Sequence, residues 1–172
     1  MKLSMAAKTA ATIGVTVLAA TGLSATSASA ATASVTIVKM GAYKCIDVPG
    51  SNAYRGAPVT FHDCNKTDAQ KWQLDNSTGE LKNADGTMCI DAPGNNFQNG
   101  AHLQMWDCNG GKNQKWAWSS GQIVSQQKAA NGKNMCWDAL DGRTDNGTPV
   151  GLWECGPAPV AFSNQDFGMS LR

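Results

Sequence analysis

Two patterns of hydrophobic and polar positions run along this chain of 172 residues, and they do not mix. From Thr9 to Ala20 small and apolar residues follow one another without a charge. Beyond residue 30 the apolar positions come in short alternating runs, separated by Gly, Pro, Asn and Asp. Alternation of this kind marks strands with one buried face. In the run from His102 to Cys108, one face carries His102, Gln104, Trp106 and Cys108, and the other carries Leu103, Met105 and Asp107. The runs predict strands near 34–40, 44–48, 58–64 and 71–75, then near 80–83, 88–92, 102–108 and 115–119, then near 122–127, 135–139, 150–155 and 167–171. Twelve strands and no helix are expected, which makes the chain an all-β protein.

The first pattern reads as an export signal. Lys2 and Lys8 precede the apolar run, and Ala28-Ser29-Ala30 supplies a small-x-small cleavage site. Ala31-Thr32-Ala33 repeats that site, so cutting after Ala33 is the alternative. The run is short for a membrane span, and no second apolar stretch approaches one. Residues 31–172 are then expected to form one secreted domain.

Six cysteines, at 45, 64, 89, 108, 136 and 155, fall in three pairs, each 19 residues apart. The first members lie 44 and 47 residues apart, which marks an internal repeat with copies near 34–77, 78–120 and 121–172. KCIDVPG, MCIDAPG and MCWDALDG open the cysteine pairs, and TFHDCN, QMWDCN and GLWECG close them. QKW at 70–72 and at 114–116 is echoed by QDF at 165–167. If each copy is a local unit, the disulfides are Cys45–Cys64, Cys89–Cys108 and Cys136–Cys155. Each would contribute around 3 kcal/mol by closing a loop of about twenty residues. One copy is too small to bury its own core, so the three must share one.

Three copies with C-x-D, a cysteine nineteen residues on and a Q-x-W closing signal resemble the ricin B-type lectins, which include carbohydrate-binding modules of family 13. The resemblance runs over nearly all of Ser34 to Arg172 and implies a β-trefoil with up to three sugar sites. It implies that each site uses the C-x-D aspartate, a glutamine and an aromatic before the second cysteine, and the Asn-Gln of the closing signal. The second copy keeps Asp91, Gln104, Trp106, Asn113 and Gln114. The third keeps Asp138, Trp153, Asn164 and Gln165, with Gly151 at the first glutamine position. The first keeps Asp47 and Gln70, with Thr60, His62 and Ala69 elsewhere. The expected order of strength is second, third, first. The resemblance also implies that Trp72, Trp116 and Phe167 pack inside and that their glutamines bond locally.

Strand register gives an independent route to the same face. Placing Cys89 directly opposite Cys108 sets Asp91 opposite Trp106, Asp138 opposite Trp153 and Asp47 opposite His62. With Ile90, Leu103 and Met105 pointing to the core, the cysteine face is expected to look outward. A carboxylate accepts charge-assisted bonds from hydroxyls, an indole stacks on the C–H face of a pyranose, and amides read hydroxyl pairs. The competing reading makes the aspartates turn acceptors before Pro-Gly. Trp137 is expected in the core, Phe97 either packs its loop or covers the second site, and Trp118 has no counterpart.

Charge changes the picture only by exclusion. Without Lys2 and Lys8 the chain has 12 basic and 13 acidic residues and no basic patch, so nucleic acid is not an expected partner. His62 and His102 lie in no metal-ligand spacing, and no nucleophile elbow or phosphate loop is present. No metal, cofactor or catalytic activity is expected; the expected partners are galactose-type or xylose-type glycans. The rival reading is a protein-binding β-trefoil, such as a protease inhibitor, contacting its target through the insertion at 156–164.

Overall fold

The structure, a computed structural model, describes residues 32–157 and 163–171. The export signal and residues 158–162 of the insertion lie outside them. The described residues form twelve strands. Four come from the first copy: β1 (Thr32–Lys39), β2 (Lys44–Asp47), β3 (Thr60–Asp63) and β4 (Trp72–Asp75). The second supplies β5 (Leu81–Lys82), β6 (Met88–Asp91), β7 (Gln104–Asp107) and β8 (Trp116–Ser119). The third supplies β9 (Gln122–Ser125), β10 (Met135–Asp138), β11 (Gly151–Glu154) and β12 (Phe167–Leu171). Each agrees with a predicted run to within a few residues. Among the described residues helix is confined to 3-10 turns of three residues, such as Pro93–Asn95 and Lys112–Gln114.

The strands close a barrel. β1 pairs with both β12 and β4, β4 with β5, and β8 with β9, all antiparallel. A bridge between Glu80 and Lys115 links β5 to β8, and the Phe167 amide donates to the Gly121 carbonyl at 2.8 Å to complete the circuit. The hairpins β2–β3, β6–β7 and β10–β11 cap one end. At the cap's centre the Val59 amide donates to Leu103, Leu103 to Val150, and Val150 back to Val59, at 3.2, 2.9 and 2.9 Å. This ring of backbone bonds marks the pseudo-threefold axis of a β-trefoil.

One core serves all three copies. Val35, Ile37, Ile46, Phe61, Trp72, Ile90, Leu103, Met105, Trp116, Trp137, Leu152 and Phe167 are buried together. As expected, Trp72, Trp116 and Phe167 point inward. The first two also donate their indole N–H to the Ile46 and Ile90 carbonyls, each at 3.1 Å. In the third copy Phe167 has no such donor, while Trp137 replaces the isoleucine. Its Nε1 is buried and, among the described residues, has no partner, a cost of about 1–3 kcal/mol. The ring is held instead by edge contacts to Trp116 and Phe167, with centroids 5.4 and 6.2 Å away. All three disulfides form as expected, each with Cα atoms 5.0 Å apart.

The register differs from expectation by two residues. Cys89 faces Trp106, and Asp91 faces Gln104. In the other copies Cys136 faces Trp153 and Asp138 faces Gly151, while Cys45 faces His62 and Asp47 faces Thr60. The second cysteine of each pair lies just past the end of its strand, where the chain turns back and brings it diagonally onto the first. Each aspartate and its aromatic therefore share a face as diagonal neighbours, about 7–8 Å apart at Cα, rather than as a directly opposed pair.

Candidate functional site

In each copy three segments converge: the C-x-D strand, the strand before the second cysteine, and the 3-10 turn carrying the closing glutamine. The aspartates do not look outward as expected. Asp47, Asp91 and Asp138 are 3, 2 and 5% exposed, because the loops after their strands and the 3-10 turns cover them. Trp106 and Trp153 do reach solvent, at 37 and 46% exposure. Each copy thus sets a buried carboxylate beside a more exposed aromatic side chain, and in the first and third copies the pair lines a depression.

The second copy holds its carboxylate most completely. Asp91 Oδ1 accepts from Gln104 Nε2 at 3.0 Å, and Oδ2 accepts from Asn113 Nδ2 at 2.6 Å and Gln114 Nε2 at 3.0 Å. Burial nevertheless pushes the Asp91 pKa up, because the two glutamine bonds offset only part of the desolvation. Gln104 spends one amide hydrogen on Asp91, and its carbonyl remains available to a hydroxyl. These contacts make Asp91 an amide-held acceptor, not the turn acceptor of the alternative reading.

The closing glutamines stand apart from the rest of the expected set. Gln114 donates to Asp91 and to the Asp107 carbonyl at 2.8 Å, and accepts from the Asn109 amide at 2.9 Å. Gln70 makes the same three bonds, to Asp47, to the Asp63 carbonyl and from the Asn65 amide. Gln165 bonds Asp138, the Glu154 carbonyl and the Gly156 amide, and also accepts from Gln122 Nε2 at 3.0 Å. All three are buried, with both donor hydrogens used inside the fold. They are struts that fix the aspartate to the end of the opposite strand, with their hydrogen-bonding capacity spent inside the fold.

The third site differs where its sequence does. A Cβ added at Gly151 would lie 2.5 Å from Leu140 Cδ1, so the Leu140 side chain fills the space that Gln104 uses in the second copy. Asp138 therefore receives only Gln165, on Oδ2, among the described residues. Burial raises the Asp138 pKa; Gln165 and Lys39 pull it down and Asp141 adds to the rise. Asn164 does not bond Asp138 as Asn113 bonds Asp91. It lines a depression of about 190 Å³ with Asp138, Asp141 and Trp153. The first site is also open. Asp47, Thr60 and His62 line a depression of about 450 Å³ with Pro49, Thr67 and Gly147. His62 Nδ1 lies 3.1 Å from the Asp63 carbonyl, and the ring forms a half-buried wall.

Sequence reasoning missed the residues that buttress each aromatic wall. The acidic residue after the aromatic is held by the turn of the preceding copy. Arg55 bonds Asp107, Asn99 Oδ1 accepts the Glu154 amide at 2.7 Å, and Asn146 Nδ2 donates to Asp63 at 2.8 Å. Lys44 reaches Asp63 as well, at 2.5 Å. These bonds hold the Asp63 and Asp107 carboxyls below the usual range, Asp63 chiefly through Lys44 and Asp107 through Arg55. The repeat alignment carries the signal, since Arg55, Asn99 and Asn146 occupy the same turn in each copy. Phe97 is buried in the shared core and lines a depression with Asn99, Met135 and Glu154, which matches the loop-packing alternative, and Trp118 is exposed on the barrel.

Among the described residues no group of three His, Cys, Asp or Glu could hold a metal, and no helix is long and apolar enough to cross a membrane. Solved structures with the same fold include a designed threefold-symmetric protein, ThreeFoil, at 22% identity and TM-score 0.66 over 79% of this chain and 96% of that one. The β-trefoil lectin of the Vibrio vulnificus hemolysin/cytolysin, solved with N-acetyl-D-lactosamine bound, matches at 20% identity and TM-score 0.63, over 83% of this chain and 96% of that one. The C-half of an earthworm R-type lectin, in complex with GalNAc, matches at 18% identity and TM-score 0.61, over 81% and 99%. No curated protein sequence matches at comparable stringency. The family model for the ricin-type β-trefoil lectin domain matches residues 33–159, and the chain belongs to that family.

Proposed function

We propose that this chain is an exported lectin that binds galactose-type or xylose-type glycans through up to three shallow sites, with residues 1–30 removed on export. The observation that carries the reading is the buried carboxylate, held by amides, beside an exposed indole in the second and third copies. A sugar hydroxyl donating to such a carboxylate makes a charge-assisted bond, worth roughly 1.5–3 kcal/mol net. The indole offers a flat apolar surface to the C–H face of the ring. Lectin relatives solved with N-acetyl-D-lactosamine and with GalNAc support the galactose-type choice. The disulfides fit an oxidising extracellular setting.

Single sites of this depth should bind near the millimolar level, about −4 kcal/mol. Three sites on one rigid frame raise the apparent affinity for a polysaccharide by roughly 10²–10⁴. The role is binding, with no reaction attached to it. The test is retention on immobilised galactose- and xylose-bearing polysaccharides with elution by free sugar. Trp106→Ala and Trp153→Ala should each weaken retention at least fivefold while thermal stability changes little, since both side chains are partly exposed. Undiminished retention in the double variant would remove these two sites, and inhibition of a protease without any retention would favour the protein-binding alternative.

A further inference from the structure

The third site carries a charge the other two lack. In the segment after C-x-D, Asp141 stands where the first and second copies have Gly50 and Gly94. All three residues adopt the left-handed backbone, with φ of 56, 67 and 61°. Glycine is the ordinary choice for that conformation, and aspartate is among the few residue types that tolerate it. The backbone alone therefore gives no reason for a side chain at this position, and the one present is anionic.

Its placement gives the reason. Asp138, Asp141, Trp153 and Asn164 line one small depression. Asp138 is 5% exposed, and its Oδ1 accepts nothing among the described residues, because Leu140 fills the space of the absent glutamine. Asp141 makes no salt bridge among the described residues. Lys39 is the nearby cation. Its Nζ is tied to the Met40 carbonyl at 2.8 Å and sits over the Phe167 ring at 5.7 Å. It is buried, lies within the field of Asp166 as well as Asp138, and does not line this depression. Arg143, the next charged residue along the chain, is exposed and also outside the lining. Two carboxylates thus face one exposed indole, with an unfilled acceptor on the deeper one.

We propose that the third site recognises a protonated amino sugar, a 2-amino-2-deoxy pyranose or a polymer containing it. This inference rests on the lectin reading and gives one of its sites a ligand class. An ammonium has three donors and no acceptor, which matches Asp138 Oδ1 together with the Asp141 carboxylate. The same cation is attracted by the indole face of Trp153. An N-acetylated sugar has neither the charge nor three donors on that nitrogen, and a uronic acid is repelled. The second site has Gly94 in place of Asp141 and its Asp91 Oδ1 occupied by Gln104, so it keeps neutral ligands. The chain then binds two classes of sugar on one frame.

The experiment is calorimetric titration of the full disulfide-bonded chain at pH 6 with glucosamine trisaccharide, its fully N-acetylated form and a neutral galactose- or xylose-based trisaccharide. The wild type should bind the amine form at least tenfold tighter than the acetylated form, a difference of about 1.4 kcal/mol, and 0.5 M salt should reduce that preference. Asp141→Gly installs the residue of the other copies at a compatible backbone position, and Asp141→Asn keeps the shape without the charge. Both should abolish the preference, and neither should alter Trp106-dependent binding of the neutral sugar. Equal affinity for amine and acetylated forms in the wild type, or a preference that survives both substitutions, overturns the inference. Loss of every sugar, the Trp106-dependent neutral one included, would instead defeat the lectin reading and this inference with it.

Discussion

Truncating Gln114 to alanine separates a strut from a ligand contact. The side chain is fully buried and makes three hydrogen bonds, one of them to the ionised Asp91. A bond to a charged group contributes about 1.5–3 kcal/mol and each of the other two about 1 kcal/mol, a gross loss near 4 kcal/mol. Part of that is recovered, because Asp91 Oδ2 keeps Asn113, and the Asp107 carbonyl and Asn109 amide lie near enough to the surface to take water. A net cost of about 3 kcal/mol lowers Tm by roughly 10 °C in a domain of this size. Gln104 makes one bond, to Asp91 Oδ1, and is only half-buried. Gln104→Ala should therefore cost under about 1 kcal/mol, a few degrees at most. Its effect should appear in sugar affinity, with a loss comparable to that of Trp106→Ala. Thermal unfolding by circular dichroism under non-reducing conditions, paired with affinity chromatography, reads both quantities. If Gln114→Ala moves Tm by less than 2 °C, or Gln104→Ala moves it as far as Gln114→Ala does, the division into strut and contact is wrong.

Two other perturbations test the electrostatics and the packing. The raised pKa values of Asp91 and Asp138 place their protonation above the ordinary carboxylate range of about 4, so binding at the second and third sites should fall as pH drops toward that range. The folded state holds these protons more tightly than the unfolded state, so the stability these groups contribute is present at low pH and lost as pH rises through the raised values. Affinity and circular dichroism followed together from pH 7 downward should therefore show binding lost before the fold. Gly151→Gln should destabilise the protein by about 1–3 kcal/mol, because the new side chain meets Leu140. Leu140→Pro in the same molecule, matching Pro93, should restore Tm in a melting scan; a double variant no more stable than Gly151→Gln would show that the strain has another source.

Alternation like that of Leu103 and Met105 marks the strands in the sequence itself, and the repeat pairs the cysteines. Both signals are local or periodic, and the barrel only assembles what they specify. The register misled because a disulfide constrains distance and not opposition. Cys108 lies beyond the last paired residue of β7, so it reaches Cys89 from a diagonal position while Trp106 takes the facing one. Burial of Asp91 was illegible for a related reason. Its cover comes from loops and from Gln114, and strand alternation says nothing about what folds over a face. Arg55, Asn99 and Asn146 escaped because each acts on the following copy, and a contact between copies leaves no trace in the spacing within one. Asp141 was visible as DALDG against DAPG, but its meaning depends on the depression it lines.

The ring of amides joining Val59, Leu103 and Val150, with the pairing of β1 to β12, also bears on how the chain folds. Each bond in that ring spans some 44 to 91 residues, and among the described residues the free side of β1 is covered by β12, more than 120 residues further along the chain. Contacts this distant fold slowly, since the loop entropy is lost before the pairing is gained. A chain emerging N-terminus first, from a ribosome or a translocation channel, holds an unpaired edge on β1 until Phe167–Leu171 has cleared the exit. The local disulfides need not wait, and each can close inside its own hairpin. Oxidation can then run in the order of synthesis, copy by copy, while closure of the barrel is a single late event.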